Sequence, residues 1–324
     1  MSYQVVSAAG VPRVALIGCG RWGRNIARVL ARLDALEVIV DPAAEQLAGY
    51  AAELGVRVTT NFDEAVADGI DAVAIAVPAA DHARVILRAL DAGKHVYVEK
   101  PLALELNDAE KCAARADEVG KTLMIGHLLQ YHPAFLTLKE SVARGDIGEL
   151  RHITSNRLNP GAIRTEETAL WSMAPHDFSM ILGLTGNAPE TVASLPVQVM
   201  SGDIPDQYHV QMRFPDAVTA NVSVSWLSPF KEHKLVVLGT TGALVFEDTQ
   251  PIRDRKLLIY RDFIDRSGGQ ARFVKSEGEP VPFPAGEPLE NEMRAFLHCA
   301  LTGETPATGA HEAIPVLRLL MQAS

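Results

Sequence analysis

The chain is short of cysteine, of positive charge and of long apolar runs. Three cysteines, Cys19, Cys112 and Cys299, stand among 324 residues. Odd in number and far apart, they match neither a disulfide framework nor a zinc-ligand pattern, so a reducing, cytoplasmic setting is the expectation. Lys and Arg total 30 against 40 Asp and Glu, a formal net charge of −10. That balance argues against a broad nucleic-acid footprint or an anionic membrane surface, while leaving room for a local basic pocket. No apolar run reaches the ~20 residues that span a bilayer, and the opening MSYQVVSAAG lacks the charged start and apolar core of a signal peptide. Internal repeats and low-complexity tracts are also missing.

What is present suffices for two domains with cores of their own: hydrophobic residues are 48% and charged residues 22%. The stretch that organises the rest is VALIGCGRWG, Val14 to Gly23. Four apolar residues run into a glycine turn. Behind it, Ile26, Val29, Leu30 and Leu33 recur at helical spacing. This is G-x-G-x-x-G in a strand–turn–helix setting. Gly18 permits the turn, Gly20 lets the backbone approach a pyrophosphate, and Gly23 lets helix and strand pack closely. Cys19, Arg21 and Trp22 complete the loop, with Cys19 read as small filler rather than a nucleophile. A helix N-terminus there presents free N–H groups and a positive dipole end to a phosphate.

A second strand, Glu37 to Val40, ends in Asp41. That carboxylate stands where an adenosine ribose would be held, and it would repel a ribose phosphate. Pro42, Ala43 and Ala44 supply no arginine for such a phosphate, so NAD is favoured over NADP. A structural role for Asp41, capping the helix before which Pro42 stands, is compatible with this.

Strand and helix then alternate: strands at Val56–Thr59, Asp71–Val77, His95–Val98 and Thr122–Ile125, a helix near Asp81–Leu90, and a capping box of Asn107 with Glu110 opening another helix. This predicts a doubly wound parallel sheet. Its carboxyl strand ends, where ligands bind, collect Gly18, Asp41, Pro78, Glu99 and Lys100, and His82 just beyond Pro78 is grouped with the cofactor residues.

After about Gly126 the texture changes. A helix at Pro133–Ala143, a strand at Leu150–Leu158, the irregular NPGAIRTEETALW and a short helix starting near His176 precede a run of strands. Those strands are Thr191–Met200, Gln207–Phe214, Ala217–Trp226, Lys234–Gly239, Ala243–Glu247 and Lys256–Asp262, with hairpin turns at Pro215-Asp216 and Thr241-Gly242. An exposed loop over Ser267–Pro288 and a helix pair, about Leu289–Thr302 and His311–Ala323, close the chain. The expected architecture is α/β: a dinucleotide-binding domain over 1–126, and over 127–324 an α+β domain built on an open, mostly antiparallel sheet.

Two residues stand out as chemistry-bearing. Lys100, at a strand end beside the cofactor turn, is suited to bind a hydroxyl or steady an oxyanion; a surface lysine paired with Glu99 is the structural alternative. His176, in WSMAPHDFSM, is the side chain best matched to accept a hydroxyl proton near neutral pH. Its alternative is a capping or core histidine, and Asp177 reads as a first-turn carboxylate. His127, Tyr131 and His132 form a cluster suited either to a ligand cleft or to aromatic packing. No ligand set for a functional metal accompanies them.

Together GCGRWG at 18–23, VDP at 40–42, AVP at 76–78, EKPLAL at 99–104, GH at 126–127 and HD at 176–177 resemble the glucose–fructose oxidoreductase/inositol dehydrogenase (Gfo/Idh/MocA) family over essentially the whole chain. The resemblance implies oxidation or reduction of one secondary carbinol of a sugar or cyclitol, with Lys100 and His176 as catalytic residues. It also implies a homo-oligomer, dimer or tetramer, through the second-domain sheet. Many members carry an Asp four residues before that histidine; here the position is Ser172.

The stretches 155–177 and 225–244 look like nucleotide-sugar 3-dehydrogenases of the family. They imply a UDP-linked amino sugar as substrate, with His127, Tyr131, Arg157, Asn159, Arg164 and Lys231 toward it. An aminotransferase would act on the product, toward lipopolysaccharide. Dehydrogenases or ketoreductases of other sugars or cyclitols, and a non-catalytic NAD sensor, remain open alternatives.

Overall fold

The computed structural model describes residues 10–161, 163–164, 167–200, 202–261, 264–265, 270, 272–274 and 277–324. The chain divides into two units, Met1–Tyr131 with Gly286–Leu317, and His132–Ala285 with Arg318–Ser324. The expected boundary at Gly126 falls five residues short of Tyr131. The closing helices break the expectation more sharply, since most of the pair clusters with the first unit rather than the second.

The first unit alternates as its sequence pattern requires: β1 (Val14–Ile17), α1 (Gly23–Arg32), β2 (Leu36–Val40), α2 (Ala44–Glu53), β3 (Arg57–Thr59), β4 (Ala72–Ile75), α3 (His82–Asp91), β5 (His95–Glu99), α4 (Leu106–Val119) and β6 (Leu123–Gly126). All six strands are parallel in the order β3-β2-β1-β4-β5-β6. Val14, Ala15, Leu16 and Ile17 are all buried, as strands covered on both faces must be. From α1, Ile26, Val29 and Leu30 are fully buried, each stabilising the unit by about 1.5–3 kcal/mol. The capping box is not realised. Helix α4 begins one residue before Asn107, its N-cap position is Glu105, and no side-chain cap bond forms.

The second unit is built on β7 (Leu150–Pro160), β8 (Thr191–Val197), β9 (Gln207–Arg213), β10 (Thr219–Ser225), β11 (Leu227–Gly239), β12 (Gly242–Glu247), β13 (Leu257–Arg261) and the short β16 (Glu279–Pro280). Their order is β16-β13-β12-β11-β7-β10-β9-β8. Only the β7–β10 pair is parallel, which bears out the mostly antiparallel reading. Strands β14 (Ile264–Asp265) and β15 (Arg272–Phe273) form a separate pair. Of these, β15 falls together with β16 inside the stretch expected as one exposed loop, Ser267–Pro288; its residues 267–269, 271 and 275–276 lie outside the described residues, as does Asp262, where the last expected strand ends. The Pro215-Asp216 turn connects β9 to β10, with Asp216 at φ +60.

Helix α5 (Pro133–Ala143) packs on β12, and α6 (Ala169–Thr185) on β7, β9 and β10. On β9, Tyr208, Val210 and Met212 are buried while His209, Gln211 and Arg213 are exposed, the alternation of a sheet covered on one face. The chain closes with α7 (Pro288–Thr302) and α8 (Ala310–Ala323). Among the described residues no helix is long and apolar enough to cross a membrane.

The helix expected to start near His176 begins at Ala169, with the Thr168 hydroxyl accepting from the Trp171 N–H. Pro175 therefore sits inside α6, not at its first turn. A proline preceding a polar pair reads locally as a helix start. Here burial of Ala169, Leu170, Met173 and Ala174 carries the helix back past it. Asp177 is accordingly a mid-helix residue rather than a first-turn carboxylate.

Candidate active site

In the first unit the glycine turn fits a dinucleotide. Gly18 holds φ +89, and a Cβ there would lie 2.7 Å from the Ala76 carbonyl oxygen. A Cβ on Gly23 would lie 2.3 Å from the Gly18 carbonyl oxygen. Neither position admits a side chain. Gly20 differs: a Cβ would meet nothing within 4 Å, so its backbone faces open space, where a pyrophosphate can approach. Cys19 is buried, and burial pushes its thiol up to about 11, consistent with filler and not with a nucleophile.

Asp41 is tied to this turn directly. Its Oδ2 accepts the Cys19 N–H at 2.7 Å and its Oδ1 accepts the Ala43 N–H at 2.8 Å. Ala43, not Asp41, is the N-cap position of α2. With two lone-pair sites occupied, the carboxylate retains acceptor capacity for a ribose hydroxyl pair.

At the end of β5, Glu99 Oε1 accepts from the Trp22 indole Nε1–H at 2.5 Å and from the Tyr97 hydroxyl at 2.8 Å. Trp22 is 41% exposed, so the fifth residue of the glycine loop lies partly open, beside the strand end that carries Lys100. His82 is corrected. It is 1% exposed, with Nδ1 2.7 Å from the Pro101 carbonyl oxygen and Nε2 3.0 Å from that of Val77. It braces the ends of β4 and β5 rather than presenting itself to a cofactor. Burial lowers its pKa.

His127 and Tyr131 also lie within this unit, both buried. His127 Nδ1 is 2.5 Å from Glu312 Oε2, and the Tyr131 hydroxyl is 3.0 Å from Thr308 Oγ1. Packing, the structural alternative for this cluster, describes them best. His132 opens the second unit. Its Nδ1 accepts the Ala134 N–H at 3.1 Å at the head of α5, and its Nε2 lies 3.5 Å from Asp248.

In the second unit His176 is carried on α6 one turn after Ser172, and next to it Asp177 is fully buried. The Ser155 hydroxyl donates to Asp177 Oδ1 at 2.6 Å. Arg157 donates through Nε to Oδ2 at 2.6 Å and through Nη2 to Oδ1 at 3.1 Å. Arg157 is 6% exposed. Its guanidinium is therefore a clamp on Asp177, not the substrate-facing cation expected.

Behind it, His233 Nε2 donates to Asn159 Oδ1 at 3.1 Å, which leaves Nδ1 as the acceptor facing Arg157 Nη1 at 3.4 Å. Burial, reinforced by Arg157, pushes His233 down to about 4, so it is neutral here. Asn159 Nδ2 points to the Met173 sulfur at 3.4 Å. Two of the six residues expected toward substrate, Arg157 and Asn159, thus belong to one internal network. Arg164 is exposed and paired with Glu167 at 2.6 Å, and Lys231 is exposed on β11.

Sequence reasoning missed Tyr97, Ser155, His233 and Glu292. Of these, Glu292 left a signal: an acid on the same helix face as Leu289, Met293 and Phe296. Among the described residues no group of three or more His, Cys, Asp or Glu is arranged to hold a metal ion.

Comparison with known proteins agrees with the geometry. Residues 12–127 match a family model described as an oxidoreductase family with an NAD-binding Rossmann fold, and residues 135–245 match the GFO/IDH/MocA C-terminal domain. A UDP-N-acetylglucosamine 3-dehydrogenase of Acidithiobacillus ferrooxidans is 31% identical over 66% of this chain and 66% of its own length, so the alignment spans just under two thirds of that relative. Its solved structure superposes with a TM-score of 0.84 at 26% identity, covering 96% of each chain. Inositol 2-dehydrogenase of Rhizobium meliloti is 30% identical over 74% of this chain and 77% of its own length. A structure of GenD2 from gentamicin A biosynthesis in complex with NAD superposes with a TM-score of 0.82 at 25% identity, covering 100% of this chain and 95% of that one.

Proposed function

Because the chain belongs to the Gfo/Idh/MocA family of NAD-binding oxidoreductases, we propose that it oxidises the 3-hydroxyl of a UDP-linked amino sugar, UDP-N-acetylglucosamine, to the 3-keto sugar. The observation that carries the reading is the placement of Lys100. It directly follows Glu99, whose carboxylate accepts from the Trp22 indole of the glycine turn, which supports a role for Lys100 beside a dinucleotide. NAD, when bound, supplies the hydride acceptor. Lys100 holds the substrate hydroxyl oxygen and steadies the negative charge that develops on it. His176 accepts the hydroxyl proton.

With Ser172 in place of an acid, that proton stays on the imidazole and is not passed to a neighbouring carboxylate. Arg164 and Lys231, the exposed cations of the second unit, meet the diphosphate. An aminotransferase consumes the 3-keto product, feeding 3-amino-sugar synthesis toward lipopolysaccharide in the cytoplasm. A homo-oligomer forms through the open sheet face that carries His209, Gln211 and Arg213. Light scattering on the purified chain tests that assembly, and a monomer would refute it.

The similarity to an inositol 2-dehydrogenase favours a second reading, a cyclitol as substrate. Following NADH absorbance with NAD and either UDP-N-acetylglucosamine or inositol separates the two. Turnover of the nucleotide sugar supports the first reading. Turnover of inositol alone removes it.

A further inference from the structure

The apolar face of α7 carries one acid. Leu289, Met293, Phe296 and Leu297 are buried, and among them Glu292 has no exposed surface. Its Oε2 lies 3.1 Å from the Tyr97 hydroxyl, and its Oε1 is buried without a hydrogen-bond partner. The same hydroxyl lies 2.8 Å from Glu99 Oε1. A phenol has one O–H proton, and an ionised carboxylate only accepts. If Glu99 and Glu292 were both ionised, one of these two close O···O contacts would contain no hydrogen, and two like charges would face each other across a buried ring. One further proton must therefore reside on the pair.

The surroundings determine which carboxyl holds it. Burial raises the Glu99 carboxyl as well, but the Tyr97 hydroxyl, the Trp22 indole N–H and the neighbouring Lys100 charge all act to lower it. Glu292 faces Tyr97 and, electrostatically, two other acids: Glu99 from β5 and Glu312 from α8, the latter paired with His127. No cation faces it among these. Burial and then Glu99 hold the Glu292 carboxyl well above the usual glutamate range. The room for this arrangement is built into the backbone. A Cβ on Gly126, at the end of β6, would lie 2.5 Å from the Tyr97 oxygen and 3.1 Å from Glu99 Oε1. Only a glycine fits there, which gives the GH at 126–127 a structural reason.

We propose that Glu292 is a neutral acid that donates to Tyr97, that Tyr97 in turn donates to Glu99, and that the ionised Glu99 thereby holds the Trp22 indole and positions the dinucleotide cradle. Glu292 and Tyr97 are positioning residues, acting on the cofactor through Glu99 and Trp22. The donors converge on Glu99, Glu292 through Tyr97 from α7 and the Trp22 indole from the glycine loop, and each hydrogen bond contains one proton. The inference is independent of which sugar the enzyme takes.

The test uses the whole chain without cofactor, then with NAD. The folded chain keeps a proton on Glu292 that the unfolded chain releases above the ordinary glutamate range. Stability from this group therefore falls as pH rises through that window. Glu292→Gln supplies a neutral isostere that still donates. It should match the parent in unfolding temperature at about pH 5 and exceed it increasingly toward about pH 9, with NAD affinity within about twofold. Tyr97→Phe should weaken NAD binding about fivefold and shift the Trp22 fluorescence. The infrared carbonyl stretch of a buried protonated carboxyl should be present in the parent, and lost in Glu292→Gln where that variant folds. A Glu292→Gln variant whose unfolding temperature falls below the parent's increasingly as pH rises, a parent without the infrared band, or unchanged NAD affinity in Tyr97→Phe would each overturn the proposal.

Discussion

Arg157 grips Asp177 with two prongs, Nε at 2.6 Å from Oδ2 and Nη2 at 3.1 Å from Oδ1, and both side chains are buried. Asp177 is the residue after His176 on α6, so the clamp joins β7 to the helix that presents the proposed base. Ser155 adds a third bond to the same carboxylate. The pair therefore sets the rotation of α6 about its own axis at the point where His176 emerges.

Removing the clamp should be costly. Arg157→Ala leaves a fully buried carboxylate without its counter-charge, and the loss should be about 3–5 kcal/mol by chemical denaturation. Arg157→Lys keeps the charge but not the fork, and should fall between the two. A variant with parental stability and only a raised KM for the sugar would instead make Arg157 a substrate ligand.

His176→Ala should lower turnover about a hundredfold or more, with NAD affinity unchanged, because general-base catalysis is lost while the dinucleotide cradle is intact. Isothermal titration with NAD alone, alongside steady-state kinetics, separates these effects. Near-parental turnover would remove His176 from the chemistry.

Two glycines of the cradle should respond differently. Gly23→Ala places a Cβ 2.3 Å from the Gly18 carbonyl oxygen and should destabilise the first unit by about 1–3 kcal/mol. Gly20→Ala meets nothing within 4 Å, so its unfolding temperature should hardly move while NAD affinity falls. Thermal melts with and without NAD check both. Equal losses of stability in the two variants would contradict the assigned roles.

Stability should also fall on mild acidification. His95 and His233 are each pushed down to about 4, chiefly by burial and further by Lys121 and Arg157 respectively. A base whose folded pKa is depressed binds fewer protons folded than unfolded. Its contribution is complete above the unfolded histidine range and is lost as pH drops from about 6.5 toward about 4. Unfolding temperatures measured across that window should decline, and His233→Gln should flatten part of the decline. A parental curve that is flat there would contradict the neutral state of both rings.

Elements with a local cause could be read before any coordinates. The glycine turn, the near-continuous apolar strands and the helix face of Ile26, Val29 and Leu30 are written in spacing, and burial of that spacing produced the parallel sheet. Local rules failed where burial overrode a cap. Pro175 reads as a helix start yet lies inside α6, and the Asn107 box is passed over by a helix that begins one residue before it.

The amino-acid order alone determined that a dinucleotide cradle would form, because strand, turn and helix are contiguous there. It also determined that an antiparallel sheet would follow. Polar pairing was left to the tertiary structure. Trp22 meets Glu99 across 77 residues and Tyr97 meets Glu292 across 195. Hydrophobic periodicity records which face of an element is buried, but not which buried polar groups from distant elements come within hydrogen-bonding distance of one another. That depends on the register and order of strands whose pairing the chain establishes only on folding.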